Sequence, residues 1–347
     1  MKITEINTIE DYNSYGYNYW TKILDLGLLI YRPNKNKIVI QDVKSFRILK
    51  EIEIAENHSF GQFAFEDKIY LTVQNKLFEL NQEKITLDLL YDSKEEYVGI
   101  TYSQHSEYPV LYYDGTYKRK PRIIRYSLID PKTNGVIYFS EERTFLVSHF
   151  ENAGIFYNRN SNKWVRQDLK TSTKHWEIEI GDSVSGRRWY EFHLTNFLIE
   201  THIRKENKAH LQNRKTHNGE LIWQIDNCLG HYHKISDSED YIGIGGSKLH
   251  RFNTKGENEY IELDADFSVS SHLSALENNN LIFCSHIDSN IPVIGKINID
   301  NNKVESIYEI NVSESKSFRI GLDVPYKIGN RIYVRDSLNK LRIFETD

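Results

Sequence analysis

The sequence predicts an all-β protein in which about eight short repeats close into a ring. Three observations carry this prediction. A short apolar run recurs about every 43 residues, a strand–turn–strand pattern follows each run, and no segment has an apolar stripe at helical spacing over three turns. The 23 Tyr and 16 Phe residues also favour strands.

The first repeated pattern is a short apolar run that follows a polar turn. Its copies are LLIY at 28–31, KIYLTV at 68–73, PVLYY at 109–113, AGIFY at 153–157, NFLIE at 196–200, DYIGIG at 240–245, NLIFC at 280–284 and RIYVR at 331–335. Units of about 43 residues at this spacing use the whole chain. We therefore expect a single domain over residues 1–347.

The second repeated pattern begins about ten residues after each run and consists of a strand, a polar turn and another strand. The copies are KIVIQDVKSFRILKEIEI, KLFELNQEKITLDLLYD, RIIRYSLIDPKTNGVIYF, KWVRQDLKTSTKHWEIEI, HLQNRKTHNGELIWQID, KLHRFNTKGENEYIEL and VIGKINIDNNKVESIYEI. Asn134–Gly135, Asn218–Gly219, Lys255–Gly256 and the residues 300–302 suit tight turns with positive φ. The eighth copy ends at LRIFETD and lacks its outer strand.

The N-terminal residues supply a candidate for this missing strand, because MKITEINTI alternates apolar and polar side chains. A sheet of this sequence is apolar on both faces, so it can be buried only between two neighbouring sheets. The sequence thus predicts a β-propeller of about eight four-stranded antiparallel blades, with seven as the alternative number. Residues 1–10 are expected to pair in the last blade and close the ring.

Composition narrows the classes of partner. The net charge of −5 gives no basic field for a nucleic acid, and no apolar window is long enough to span a membrane. Because the N-terminus lacks the apolar stretch of a secretory signal, we expect a cytoplasmic protein, monomeric by itself. Cys228 and Cys284 are too few for a disulfide framework or a four-thiolate zinc site, and we expect no metal or other cofactor.

The fourth and fifth repeats, DLKTSTKHWEIEI and NRKTHNGELIWQID, resemble the repeat of bacterial propellers of the pyrroloquinoline-quinone-like superfamily. In that repeat Gly forms the hairpin and a Trp on the outer strand docks between blades, which implies the docking role for Trp176 and Trp223. The chain lacks the adjacent Cys pair of the quinone-dependent dehydrogenases, so the resemblance does not imply their activity. The WD40-like propellers, with seven blades, are the nearest alternative.

The connections between consecutive blades surround one mouth of the ring and are the predicted binding surface. The first connection, DYNSYGYNYW, contains the aromatic candidates Tyr15, Tyr17, Tyr19 and Trp20. Amphipathic rings of this kind are enriched at binding hot spots. The alternative for Trp20 is that it begins an inner strand and lies in the core.

The fifth and sixth connections add polar candidates. Arg187, Arg188 and Trp189 suit the binding of carboxylates or rings, although Trp189 could instead begin an inner strand. His231 and His233 lie two apart, so that a strand would project both imidazoles to one side. The sequence offers no third ligand beside them, which favours ordinary packing over a metal site.

Two functional hypotheses follow. The first is a non-enzymatic protein-binding scaffold that uses the loop face of the propeller, for example a bacterial immunity or complex-assembly protein, with no catalytic residues. The alternative is a small-ligand-binding protein or a hydrolase- or lyase-type enzyme that uses the central pocket. Arg187, Arg188, His231, His233 and His105 would converge there in the alternative.

Overall fold

The fold is taken from a computed structural model of the chain. The structure describes residues 3–10, 12, 20–34, 36–54, 60–65, 67–73, 76–92, 98–101, 110–113, 126–130, 135–140, 144–150, 153–158, 161, 163–179, 190–203, 208–236, 238–265, 267–287, 291–310 and 321–346. Strands dominate these residues, as the repeated patterns predict.

The elements follow one another with short intervals. In the first half of the chain they are β1 (Ile3–Ile9), α1 (Trp20–Asp25), β2 (Leu28–Asn34), β3 (Lys37–Asp42), β4 (Ile48–Glu53), β5 (Phe60–Phe65), β6 (Lys68–Val73), β7 (Lys76–Asn81), β8 (Thr86–Asp92), β9 (Val98–Thr101), β10 (Val110–Tyr113), β11 (Tyr126–Asp130), β12 (Gly135–Ser140), β13 (Thr144–Phe150), β14 (Ala153–Asn158), β15 (Lys163–Asp168) and β16 (Lys174–Glu179). In the second half they are β17 (Tyr190–Phe192), β18 (Asn196–Ile203), β19 (Lys208–Lys215), β20 (Leu221–Asp226), β21 (His233–Lys234), β22 (Asp240–Gly245), β23 (Lys248–Asn253), β24 (Asn258–Glu262), β25 (Ser274–Glu277), β26 (Asn280–Ile287), β27 (Ile291–Asn298), β28 (Lys303–Glu309), β29 (Tyr326–Ile328), β30 (Arg331–Arg335) and β31 (Leu341–Thr346).

The strands form eight antiparallel sheets among the described residues, seven with four strands and one with three. We number them as blades 1 to 8. Blade 1 is β2–β4, blades 2 to 7 run in fours from β5–β8 to β25–β28, and blade 8 is β29–β31 with β1. First strands of neighbouring blades contact one another, as β21 and β25 do, so they lie nearest the axis of the ring. The predicted apolar runs are the second strands of blades 2 to 8 and the first strand, β2, of blade 1.

The N-terminal strand closes the ring, as the sequence predicts. Antiparallel pairing of β1 with β31 matches Ile3 with Thr346 and Glu5 with Phe344. The Ile3 side chain is 5% exposed and lies in one apolar cluster with Phe344. Arg342 of β31 adds an ion pair to Glu5 at 3.3 Å. Strand β1 is therefore the outer strand that the eighth repeat lacks.

Blade 1 differs from the expectation of four strands, because α1 lies where an innermost strand was expected. Trp20 begins this helix, so the alternative in which it begins an inner strand is wrong. Ile23 is buried in the apolar cluster between blades 1 and 2, and Leu24 is buried in the cluster between blades 8 and 1. The helix ends at Asp25, and Gly27 in the turn that follows has a φ of +81°, which suits a residue without a side chain. A helix can thus fill both seams beside blade 1.

The core consists of apolar clusters between adjacent blades. Each described cluster joins two neighbours: blades 8 and 1, 1 and 2, 4 and 5, 5 and 6, 6 and 7, and 7 and 8. Between blades 6 and 7, for example, Ile242 and Leu249 pack with Phe283. The neighbouring blades bury the apolar faces of each of these sheets, and this mutual burial is what the ring arrangement provides.

Trp176 and Trp223 dock between blades as the repeat resemblance implies. The Trp176 indole NH of blade 4 donates to the Thr216 carbonyl of blade 5 at 2.9 Å, and Trp223 of blade 5 donates to the Thr254 carbonyl of blade 6 at 2.8 Å. The carbonyls lie in the hairpins between third and fourth strands. One geometry therefore recurs at two successive seams.

The glycine in each of these hairpins makes room for the indole. Gly219 has a φ of +72° and Gly256 a φ of +88°, as tight turns require. A Cβ on Gly256 would lie 3.0 Å from the Trp223 ring. Asn302, in a third predicted turn, also has a positive φ, 57°. Asn134 lies outside the described residues.

Candidate functional site

The two faces of the ring differ in what they present. We call the face with the connections between blades the loop face, and the face with the hairpins between third and fourth strands the hairpin face. The sequence predicts binding residues in the connections of the loop face. Those outside the described residues are Tyr15, Tyr17, Tyr19, Arg187, Arg188, Trp189 and His105. Trp20 begins α1, and the two histidines are described in full.

His231 and His233 lie together at the loop-face end of blade 6. Their ring centroids are 5.0 Å apart at an interplanar angle of 74°. His233 Nε2 lies 3.0 Å from Ser274 Oγ of blade 7, and Ser274 donates its own hydroxyl hydrogen to the Ser271 carbonyl. His233 therefore donates to Ser274 and links two inner strands.

Burial controls the protonation of this pair. It lowers the pKa of His231 to about 4, with a further contribution from His272. Burial and the neighbouring His231 lower the pKa of His233 to about 3, although a hydrogen bond at Ser274 acts in the opposite direction. Both imidazoles are neutral at pH 7. Within the described ranges no cluster of three or more His, Cys, Asp or Glu residues has a geometry for a metal ion.

A second group of hydrogen bonds links the connection between blades 5 and 6 to blade 6 itself. The Leu229 NH donates to the Tyr232 hydroxyl at 2.8 Å, and that hydroxyl lies 2.7 Å from His250 Nδ1. The Tyr232 hydroxyl therefore links the Leu229 amide to the His250 ring. The His250 ring stacks on Tyr260 at 4.1 Å. Burial raises the pKa of the adjacent Cys228 thiol, so this sulfur is a poor nucleophile.

The hairpin face carries a hollow that the sequence analysis missed. It has a volume of about 590 Å³, is open to solvent and lies at the seam of blades 5 and 6. The lining residues are Leu194, Thr195, Asn196, Asn213, Lys215, His217, Ile222 and Thr254. Hollows of this size can take small molecules or side chains of a partner. The residues come from three strands and three turns, so no local motif marks them.

Leu194 is presented to solvent by a fixed turn. Its side chain is 70% exposed, the largest exposure among the large apolar side chains in the described ranges. The preceding carbonyl, of His193, accepts from Thr216 Oγ1 at 2.8 Å, and the Thr195 carbonyl accepts from the Thr216 NH at 3.0 Å. His193 Nε2 also lies 3.1 Å from Glu191 Oε1. The turn is thus anchored on both sides of Leu194.

The floor of the hollow is polar, but its groups are already hydrogen-bonded. Asn196 Nδ2 donates to Asn213 Oδ1 at 2.9 Å, and Asn213 Nδ2 donates to the Thr254 carbonyl at 3.4 Å. Asn213 is itself buried. Leu194 and Ile222, the latter 47% exposed, supply the apolar part of the lining. The arrangement can therefore accept an apolar group without leaving the asparagines unpaired.

Comparisons with known proteins identify the fold. No model of a protein family matches the chain, and no curated protein does. The C-terminal WD40 domain of Sif2 is similar in structure, with a TM-score of 0.65 and 12% identity over 99% of this chain and 98% of that one. The computationally designed Ika8 protein is also similar, with a TM-score of 0.61 and 8% identity over 92% of this chain and 93% of that one.

A third similar structure is the Swd1 (Cps50) β-propeller domain from Myceliophteria thermophila, with a TM-score of 0.51 and 8% identity over the full length of both chains. The chain therefore has the β-propeller fold, and WD40 domains are among its structural neighbours. At identities this low the likeness shows the fold alone. In the part of the chain that is described, no helix is long and apolar enough to cross a bilayer.

Proposed function

We propose that this chain is a non-enzymatic protein-binding scaffold. The observation that carries the proposal is the hollow of the hairpin face, which is lined by the exposed side chains of Leu194 and Ile222. Apolar side chains that are exposed together and bordered by polar groups are typical of protein-binding surfaces. The anchored turn at Leu194 supports binding with little loss of conformational entropy.

The loop face is proposed as a second part of the binding surface. This part rests on the aromatic residues Tyr15, Tyr17 and Tyr19 and on the basic pair Arg187 and Arg188. A cytoplasmic immunity protein or complex-assembly protein of a bacterium would use such a surface. The shared Trp and Gly geometry of the middle blades supports an origin in the pyrroloquinoline-quinone-like repeats, without their chemistry.

Quantitative affinity capture tests the proposal. The wild-type protein and the double variant Leu194→Asp/Ile222→Asp are immobilised and exposed to lysate of the source cells. A control, Leu89→Asp, changes a side chain that is also exposed, at 52%, but lies on the outer strand of blade 2. We expect a stoichiometric partner to be retained by the wild type and by the control.

Loss of that partner from the double variant supports the scaffold and the use of the hollow. If no protein is retained at stoichiometric amounts by the wild type, the scaffold proposal is wrong. If all three proteins retain the partner equally, the scaffold proposal stands, but the binding surface is not the hollow. The loop face is then the candidate surface.

A further inference from the structure

We infer that the hollow of the hairpin face binds an acidic segment of a partner protein, with one large apolar side chain of the segment placed between Leu194 and Ile222. This inference rests on the proposed function and specifies the chemistry of the partner. It depends on the residues that line the hollow, the hydrogen bonds of its floor and the charges around the adjacent hairpin.

The lining favours an apolar side chain at its centre. A Leu or Phe side chain entering the hollow would remove water from Leu194 and Ile222, which are now exposed. The amides of Asn196 and Asn213 would not lose a partner, because they bond to each other and to the Thr254 carbonyl. A polar side chain would gain less binding free energy, because the amides of the floor are already hydrogen-bonded.

The charges around the hairpin at residues 216–220 favour carboxylates on the Lys215 side of the hollow. On the Thr254 side, Glu239 Oε2 already accepts a hydrogen bond from Thr254 Oγ1 at 2.7 Å. Arg166 of blade 4 donates to the His217 carbonyl at 3.4 Å, and Arg214 donates to the Gly219 carbonyl at 2.8 Å. Lys215 lies in the lining of the hollow and pairs with Glu220 at 2.7 Å. Three cations thus contact the hairpin, and Glu220 is the carboxylate that neutralises one of them. The whole chain, by contrast, has a net charge of −5.

Glu220 competes with a carboxylate of the partner for the side chain of Lys215. Its hydrogen bonds from Lys215 and Asn218 lower the pKa of Glu220, so it is ionised at pH 7. The pair with Lys215 is exposed, and exposed pairs exchange partners at small cost. An acidic segment can therefore replace Glu220 at Lys215, and removing the Glu220 charge should strengthen binding.

The test uses three short synthetic peptides with the full chain. One has a central Leu–Phe pair flanked by Asp and Glu, the second has Lys in place of the acids, and the third has Ser in place of the apolar pair. Binding is measured by fluorescence anisotropy at low and at high salt. We expect the acidic apolar peptide to bind at least about tenfold more tightly than the other two, and salt to weaken its binding.

Variants of the chain then test whether the peptide binds at the hollow. Leu194→Ser and Lys215→Glu should each weaken binding of the acidic apolar peptide by about tenfold, whereas Glu220→Gln should strengthen it by about threefold. Matched controls lie on blade 2, where Lys76 and Asp92 form a similar exposed pair at 3.3 Å. Leu89→Ser, Lys76→Glu and Asp92→Asn should leave the affinity within about twofold. Circular dichroism checks that each variant keeps its fold.

Equal binding of the acidic and basic peptides, or binding unaffected by Leu194→Ser and Lys215→Glu, overturns the inference. Absence of binding by all three peptides also overturns it. A failure here is distinct from a failure of the scaffold proposal, because affinity capture of a partner through another surface would leave the scaffold intact. A weakening by Lys215→Glu together with a strengthening by Glu220→Gln supports the inference.

Discussion

Replacing Ile3 with Ala tests the pairing that closes the ring. The side chain is 5% exposed and packs in the cluster with Phe344. Removing three carbon atoms costs about 2.4 kcal/mol of transfer free energy at about 0.8 kcal/mol for each. The cavity that remains adds to this cost, so we expect a total of about 3–4 kcal/mol.

Ile6, on the same strand, is the matched control. Its side chain is 39% exposed and lies at the irregularity in pairing between Glu5 and Asn7. Ile6→Ala should therefore cost less than about 1 kcal/mol. Removing residues 1–10 eliminates β1 altogether and should destabilise the protein more than either substitution.

Thermal unfolding followed by circular dichroism measures these effects. For a chain of this size each 1 kcal/mol lowers the melting temperature by about 2 °C. Ile3→Ala should therefore melt about 6–8 °C below the wild type, and Ile6→Ala within about 2 °C of it. If the two variants melt together, or if truncation leaves the melt unchanged, closure through β1 does not contribute to stability.

Three further predictions concern the seam of blades 5 and 6. Trp223→Phe keeps an aromatic ring but loses the hydrogen bond to the Thr254 carbonyl, so urea unfolding should show a loss of about 1 kcal/mol. Gly256→Ala should cost at least about 1 kcal/mol more than Gly246→Ala, because both glycines have positive φ but only the first would crowd Trp223; equal costs would contradict this packing. His250 ionises near 6.5 in the unfolded chain and, through burial, at about 4 in the folded protein. The unfolded state thus binds more protons as the pH falls below 6.5. Between pH 7 and pH 5 the wild type should lose about 2 kcal/mol more than His250→Phe, and parallel pH profiles would refute this.

The architecture could be predicted because its causes are local and repeated. The run DYIGIG at 240–245 has the same bounds as β22, and KIYLTV at 68–73 the same bounds as β6. Turns such as Asn218–Gly219 identify their hairpins, since few residues tolerate positive φ. The alternation of MKITEINTI predicted the closing strand.

The helix α1 could not be predicted in the same way. Six residues are too few to show an apolar stripe over three turns, and a helix this short forms because Ile23 and Leu24 are buried by neighbouring blades. Tertiary packing, not local preference, decides its structure. The sequence alone therefore leaves a strand as the alternative structure at Trp20.

The hollow was missed for a different reason. Leu194 and Ile222 are distant in sequence and belong to no motif, and they line one hollow only because the turn between β17 and β18 and strand β20 belong to one blade. A large apolar residue in a short polar turn, as in His-Leu-Thr-Asn at 193–196, was the available signal. The predicted aromatic and basic residues of the loop face remain predictions.

The pairing of β1 with β31 also affects how the protein is made. Glu5 and Arg342 are 337 positions apart, so β1 is synthesised long before its partner leaves the ribosome. Until then the nascent chain has an open edge at β1, and contacts so remote in sequence form slowly. Blades can stack as they emerge, but closing the ring is a late step of biosynthesis, and chaperones that cover unpaired edges would act before it.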